Sequence, residues 1–378
     1  MWYNLLDVVS VFKTVGYVVA AVFILLAMIT IHEFGHYIVG KLLRFKINEF
    51  AIGMGPAIFK RKSKKTGEQF SLRVLPLGGY CAFAGEDDEK ESSDPGAFHN
   101  RAPWRRILVL VAGALMNYIL ALLIIVIVFF AYGQMLLVTK NVEPTAEYTA
   151  EYCLQDMDVI LQAEGKNIYL TSDLAQVLQG KKQGEKAAFR LSRVTEAGNR
   201  EVVDVQIAMR SDVDIQSVTE LSAVWDALGI AQKPNDSGEM IYQIYSASCK
   251  FGFFQTIGRA FAYSGRIAGS VFTVLGELLT GRLGLNAMGG PISTIKLTSQ
   301  IAAAGLHPYL EIAAYIGVNL AVFNLLPIPA LDGSKVVFTV IEWIRGKPIN
   351  RKVENWIHFI GFILLFGFAI LVDVLQFI

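Results

Sequence analysis

Four stretches of the chain stay apolar long enough to cross a bilayer, which takes about 20 helical residues. The first runs from Thr14 to Leu43, uncharged from Val15 to Ile31 before it meets His32 and Glu33. The second, Ile107 to Thr139, carries no charge at all. The third, Ile312 to Leu331, ends at Asp332, and its apolar pattern resumes over Val336 to Ile341. The fourth, Asn355 to Val372, lies between Glu354 and Asp373. A fifth candidate, Phe251 to Leu279, holds Arg259, Arg266 and Glu277 among aromatics, a pattern that predicts an amphipathic helix lying in the interface.

The intervening segments differ in texture. Residues 46–106 contain Gly53-Met-Gly-Pro56, the basic cluster Lys60-Arg-Lys-Ser-Lys-Lys65 and Leu75-Pro-Leu-Gly-Gly-Tyr80; the alternation over Phe70 to Leu75 predicts strands in short hairpins. The acidic run Glu86 to Glu91 reads as a solvated loop. Short apolar segments broken by Gly, Asn and Asp over 140–210 predict a small β-rich domain. The predicted division is therefore 1–45 (first span), 46–106 (β segment and loop), 107–139 (second span), 140–210 (β-rich domain), 211–290 (polar tail and interfacial helix), 291–345 (third span) and 346–378 (loop and fourth span).

Composition agrees: 53% of the 378 residues are hydrophobic and 18% charged, too apolar for an ordinary soluble domain. A net charge of +1 argues against nucleic acid as a partner. Cys81, Cys153 and Cys249 show no CxxC spacing, so they form neither a disulfide framework nor a zinc knuckle and read as packing residues. The beginning of the chain lacks the basic region of a cleavable signal peptide. Lys41, Arg44 and Lys46, Arg101, Arg105 and Arg106, and Arg345, Lys347, Arg351 and Lys352 flank the first and last loops. The positive-inside rule then puts those loops in the cytoplasm and the β-rich domain outside.

His32-Glu33-Phe34-Gly35-His36 is an HExxH pattern. Residues four apart share a helix face, so both imidazoles can reach one metal ion, and Glu33 is placed to take a proton from a water held there. The pattern alone is weak, because two histidines on one face also suit a surface helix. Here it interrupts an apolar run, where an ionisable group costs on the order of 3 kcal/mol and is functional by default. Catalytic zinc usually takes three protein ligands. The other histidines are His99 in a polar loop, His307 beside a proline and His358 on the fourth span. Asp332 stands out as the alternative third ligand, in Asn324-Leu-Leu-Pro-Ile-Pro-Ala-Leu-Asp-Gly333. Two prolines break that helix, which at membrane depth requires a cavity or a protein-buried site, and Gly333 frees the backbone beside it. A helix-end Asp in the headgroup region and His358 as ligand are the competing readings. Asn319 and Asn324 either bond neighbouring helices or, at Asn324, orient substrate and stabilise an oxyanion.

HEFGH in a first span together with Asn-Leu-Leu-Pro-Ile-Pro-Ala-Leu-Asp-Gly far downstream resembles the site-2 protease family, and within it the bacterial RseP/RasP type. The resemblance covers nearly the whole chain, including Gly53-Met-Gly-Pro56, Pro76-Leu-Gly-Gly79, Asn117 and Gly289-Gly-Pro-Ile292. It implies one Zn2+ per chain on His32, His36 and Asp332, Glu33 as general base, and Asn319 and Asn324 by the substrate. The fold it implies is a polytopic α-helical membrane protein of about four transmembrane helices, with a membrane-re-entrant β segment and one extracytoplasmic PDZ-like domain. The implied activity is cleavage of transmembrane segments in regulated intramembrane proteolysis in a bacterial cell membrane, with anti-sigma factors or remnant signal peptides as substrates. The active site would face the cytoplasmic side. Two departures stand out: Cys153 and Met157 replace common glycines of the PDZ stretch, and Ser334 follows Asp332-Gly333 where a second glycine is usual. From another class, a metal-binding transporter or sensor would also place His and Asp in the membrane. It has no need of a carboxylate between two ligands.

Overall fold

The computed structural model describes residues 2–86, 93–143, 153–195, 198–215, 217, 221–235, 238–243, 245–285 and 288–376. The acidic run after Glu86 lies outside the described residues. The elements in chain order are α1 (Trp2–Leu42), β1 (Ile47–Lys62), β2 (Gln69–Phe83), α2 (Pro103–Ala131), β3 (Gln134–Val138), β4 (Val159–Ala163), β5 (Lys166–Asn167), α3 (Thr171–Leu178), β6 (Lys186–Val194) and β7 (Arg200–Ala208). There follow α4 (Ser222–Leu228), β8 (Lys233–Pro234), β9 (Met240–Ile241), β10 (Tyr245–Cys249), α5 (Phe253–Leu279), α6 (Pro291–Ala303), α7 (Leu306–Asn324), α8 (Asp332–Arg345) and α9 (Arg351–Leu375).

Among the described residues, four helices are long and apolar enough to cross a membrane: Val11–Leu42, Pro103–Ala131, Leu306–Asn324 and Arg351–Leu375. Phe23, Leu123 and Leu364 stand exposed on three of them, as lipid-facing side chains do. The helix over Phe253–Leu279 is not in this set.

Three boundaries differ from the sequence expectation. The chargeless run to Thr139 is helical only to Ala131. Gly133 turns the chain with φ 90°, and Gln134–Val138 becomes a strand with alternating burial. An unbroken apolar run does not distinguish helix from strand, and a glycine decides it here. The stretch 291–345, expected as one span broken at its two prolines, is three helices, α6, α7 and α8, with the prolines between α7 and α8. The polar tail after residue 210 is not a tail: Val224, Trp225 and Leu228 enter an apolar core and β10 joins a sheet.

The chain divides into two units, residues 1–126, 267–272 and 284–378, and residues 127–266 and 273–283. In the first, Ile24 and Met28 of α1 pack with Ala313 and Ile316 of α7. Phe45, Phe83 and Phe98 close an aromatic cluster at the base of β1 and β2. The antiparallel pair β1–β2 is bent on itself: Phe50 is opposite both Cys81 and Phe70, and Lys62 is opposite Gln69. In the second unit the sheet order is β10-β3-β4-β6-β7, with β5 on β4. Its core gathers Ile160, Leu174, Phe189, Leu191, Met209 and Trp225.

Candidate metal centre

The geometry begins with the tightness of α1 against α2. At Gly35 an added Cβ would lie 2.4 Å from the Ala112 carbonyl oxygen, so only glycine lets the two backbones meet there. This approach presses α2 against the two imidazoles. At Gly113 a Cβ would come within 2.5 Å of His36 Nε2 and 2.8 Å of His32 Cε1. Val109, one turn earlier, offers its carbonyl to His36 Nδ1 at 2.8 Å. An Nδ1–H donated to Val109 leaves Nε2 as the lone-pair nitrogen, turned toward a metal.

The third group arrives from the broken helix. After α7 the chain turns through Leu325–Leu331, where Ala330 takes the left-handed region at φ 78° and donates its N–H to His358 Nδ1 at 3.1 Å. Gly333 does not serve by backbone freedom, as the sequence suggested; its φ is not positive. Its missing Cβ is what lets the start of α8 sit on the Leu325 and Leu326 carbonyls, 2.3 Å from the built position. Ser334 fills the place of a second glycine, buried, its hydroxyl donating to Leu331 O at 2.7 Å.

Asp332 Oδ2 thereby lies 2.9 Å from His32 Nε2 and 3.2 Å from His36 Nε2, with the two Nε2 atoms 3.1 Å apart. These three are the only group among the described residues whose ligand atoms converge in this way. A tetrahedral zinc with bonds of about 2.0–2.2 Å keeps its ligand atoms about 3.3–3.6 Å apart, a few tenths of an ångström wider than this triangle. Two neutral imidazoles and one carboxylate, with room for a fourth ligand, are a catalytic zinc donor set. The residues fit the ion.

The remaining histidines are engaged elsewhere. His358 receives the Ala330 N–H, His99 meets the Glu86 carbonyl at 3.0 Å, and His307 pairs with Glu311. Asn324 reaches the centre from α7: its amide nitrogen lies 3.3 Å from His32 Nδ1. With His32 Nε2 on a metal, Nδ1 carries the hydrogen, and the Asn324 amide accepts it only when turned over so that its oxygen takes the place of the nitrogen. Asn324 thus abuts a ligand, whereas Asn319 is not brought to the centre by any hydrogen bond among the described residues.

Glu33 stands beside the triangle and lines, with His36, Tyr80, Cys81, Asp332 and Lys335, a cavity of about 360 Å³. Gly79 of β2 packs on it, 3.5 Å from Glu33 Cγ to the position of an added Cβ. Burial pushes the Cys81 thiol up, away from the thiolate form, and Cys81 is not among the converging ligand atoms. Gly113 and the Val109 carbonyl were the participants missed in sequence. Val109 acts through a backbone atom, which leaves no sequence signal. Gly113 had one, a lone glycine inside a predicted span.

An HExxH pair closed by a distant aspartate, the pair on a helix apolar enough to cross a membrane, has the donor set of a class, the zinc metallopeptidases. Comparison with known proteins agrees. The sequence profile of Peptidase family M50 matches residues 20–368. A Clostridium perfringens protein with a provisional zinc metalloprotease name is 33% identical over 362 residues, covering 95% of this chain and 97% of its own. A second clostridial relative, from Clostridium acetobutylicum and similarly named, is 30% identical over 94% of this chain and 96% of its own. The zinc metalloprotease RasP of Bacillus licheniformis is 27% identical over 91% of this chain and 94% of its own. The chain belongs to peptidase family M50 and is a zinc metallopeptidase of the site-2 protease type.

Proposed function

We propose that this protein is a zinc-dependent intramembrane endopeptidase that hydrolyses transmembrane segments of other membrane proteins, anti-sigma factors or remnant signal peptides among them. The observation that carries the reading is the convergence of His32, His36 and Asp332 beside Glu33, with the two histidines and Glu33 on a helix apolar enough to cross a membrane. Bound zinc supplies Lewis-acid polarisation and makes water nucleophilic at neutral pH. Glu33 takes the proton from the attacking water and gives it to the departing amine. Val109 holds the His36 imidazole in the tautomer that leaves Nε2 free for the ion, and Asn324 abuts Nδ1 of His32.

A helical substrate must be opened first, because its carbonyls are bonded to its own chain. The Tyr80–Phe83 part of β2 lines the cavity and pairs with β1 on one side, which supports capture of an extended substrate by strand addition. The β1–β2 pair is then the membrane-re-entrant segment. The charge distribution of the loops supports a centre on the cytoplasmic side and a PDZ-like domain outside. For that domain, Met157 has φ 71°, the conformation a glycine takes without cost, at a position where the family's PDZ stretch commonly has one.

The test is metal analysis together with cleavage of model transmembrane peptides by wild type and Glu33→Gln. Turnover should fall by about 10²–10⁴-fold, the usual worth of a general base, with zinc retained near one per chain. Full metal with undiminished turnover overturns the mechanism. Bound zinc without cleavage in the wild type would favour a transporter or sensor.

A further inference from the structure

The sequence Lys60-Arg-Lys-Ser-Lys-Lys65 has no part in the chemistry above, and its place in the fold points to a partner. The base of the β1–β2 pair lies at the last turns of α1, where Gly40 faces the Phe83 ring and Ile47 Cδ1. From there β1 runs back along α1: Ile52 is opposite Gly79, and Gly79 packs on Ile29 and Glu33. That level is about 12–18 Å from Lys41 toward the middle of the span, at 1.5 Å per helical residue. Beyond Gly53-Met-Gly-Pro56 the pair folds back, and Lys62 returns opposite Gln69, which is itself opposite Glu49. Glu68, next to the turn, is tied to Lys41 in the last turn of α1 and takes a 3.4 Å hydrogen bond from the Tyr37 hydroxyl. The basic turn therefore sits at the level where the apolar run of α1 ends.

The bend is apolar and uncovered: Met54 is 50% exposed, Ile58 66%, Val74 53% and Leu75 51%. The five cations Lys60, Arg61, Lys62, Lys64 and Lys65 are also exposed. Among the described residues no carboxylate pairs with them, and Glu68 is taken by Lys41. Apolar side chains at depth with unpaired cations at the boundary match an anionic leaflet, acyl chains below and phosphate above.

We propose that this turn is an anchor for anionic phospholipid headgroups, which fixes the outer half of the β1–β2 pair at the membrane surface. The proposal rests on the re-entrant reading of β1–β2. The anchor fixes the sheet through the outer strand that flanks the β2 segment from Gln69 to Leu75. Leaflet composition would thus bear on how firmly the sheet is held beside the centre.

The experiment places an environment-sensitive fluorophore at Thr66→Cys in the turn or at Val74→Cys in the bend. Wild type labelled in parallel corrects for Cys81, Cys153 and Cys249. The protein is reconstituted into phosphatidylcholine vesicles with or without phosphatidylglycerol, and quenching by neutral acrylamide is read. The label at position 66 should be at least about twofold better protected with phosphatidylglycerol, and high salt should erase the difference. Changing all five cations to Gln should remove it too, with zinc content unchanged as the check on folding. The label at position 74 should be protected in both vesicles. Protection at 74 with no dependence of 66 on phosphatidylglycerol overturns the anchor and spares re-entrance. Quenching at 74 in both vesicles overturns re-entrance, and the anchor with it. Protection of 66 by an acidic peptide and not by lipid also overturns the anchor, in favour of a protein partner.

Discussion

The two units of this chain are stabilised by opposite means. The β unit is an apolar core with a few satisfied polar groups: Ile160, Leu174, Leu191 and Trp225 meet around it, and buried Asp158 is bonded twice by Arg193, at 2.9 and 2.7 Å. The metal corner of the helical unit is built from backbone against backbone at Gly35 and Gly333 and from the Gly113 backbone against the two imidazole rings, which leaves a fixed space for two imidazoles and a carboxylate. A core of interlocking side chains absorbs small changes by repacking. A contact between backbones cannot. Single atoms should therefore matter for function in the helical unit, and for stability alone in the β unit.

The largest expected effect lies at the third ligand. Asp332→Ala should remove most bound zinc and all measurable cleavage, because two histidines alone leave the ion under-coordinated. His358→Ala should keep the zinc, since that ring holds the Ala330 N–H and not the metal. Metal analysis of the two purified variants checks both; the reverse result would reassign the ligand.

Next comes Gly113→Ala, the smallest chemical change with a functional consequence in this scheme. The new methyl would meet His36 Nε2 at 2.5 Å, while His36 is held from behind by Val109. Zinc affinity should fall by about tenfold or more, the range seen when support around a metal ligand is disturbed. Unchanged affinity by competition with a chelator would show that the corner has slack, and the contrast with the β unit would fail.

Much of this corner was legible in the sequence. The spacing of His32 and His36, and the charge of Asp332 beside two prolines in an apolar run, pointed to three residues whose ligand atoms the structure brings together. What stayed hidden acts through space or through backbone. Val109 contributes a carbonyl that every residue has. The helix-to-strand change at Gly133 falls in apolar sequence, where periodicity is weak because neither face must be polar. The β unit was under-read for another reason: the apolar run from Leu221 to Ile230, interrupted only by Ser222, Asp226 and Gly229, is short, and only tertiary packing shows that it completes the core.

On the other side of the comparison, Asp158→Ala should destabilise the β unit by about 3–5 kcal/mol, because it leaves the Arg193 guanidinium without its buried partner. The zinc content of the full chain should not change. Thermal melts with metal analysis of the same sample measure both, and loss of zinc in step with the melt would mean that the units are not independent in stability.

The smallest effect expected is at the amino end of α6, and it tests whether every tight glycine in the helical unit serves the metal. Gly289-Gly-Pro-Ile292 leads into α6, whose first amides would otherwise lack acceptors. Asp373 of α9 answers them: its carboxylate accepts from the Ile292 N–H at 2.9 Å, the Ser293 N–H at 3.0 Å and the Ser293 hydroxyl at 2.6 Å. Gly290 permits this, since an added Cβ would come 2.5 Å from Asp373 Cγ. The cap joins two helices and shares no hydrogen-bond partner with the imidazoles among the described residues, so its loss should be felt as stability. Asp373→Asn keeps the shape and removes the charge, and should cost about 1 kcal/mol, the worth of a helix cap with its favourable dipole. Gly290→Ala should cost more, because the methyl pushes the carboxylate out of reach. The two changes together should cost less than their sum, because both break the same contact. Chelator competition should give the wild-type zinc affinity in each variant; a drop would extend the metal's support to α6, which packs along α1.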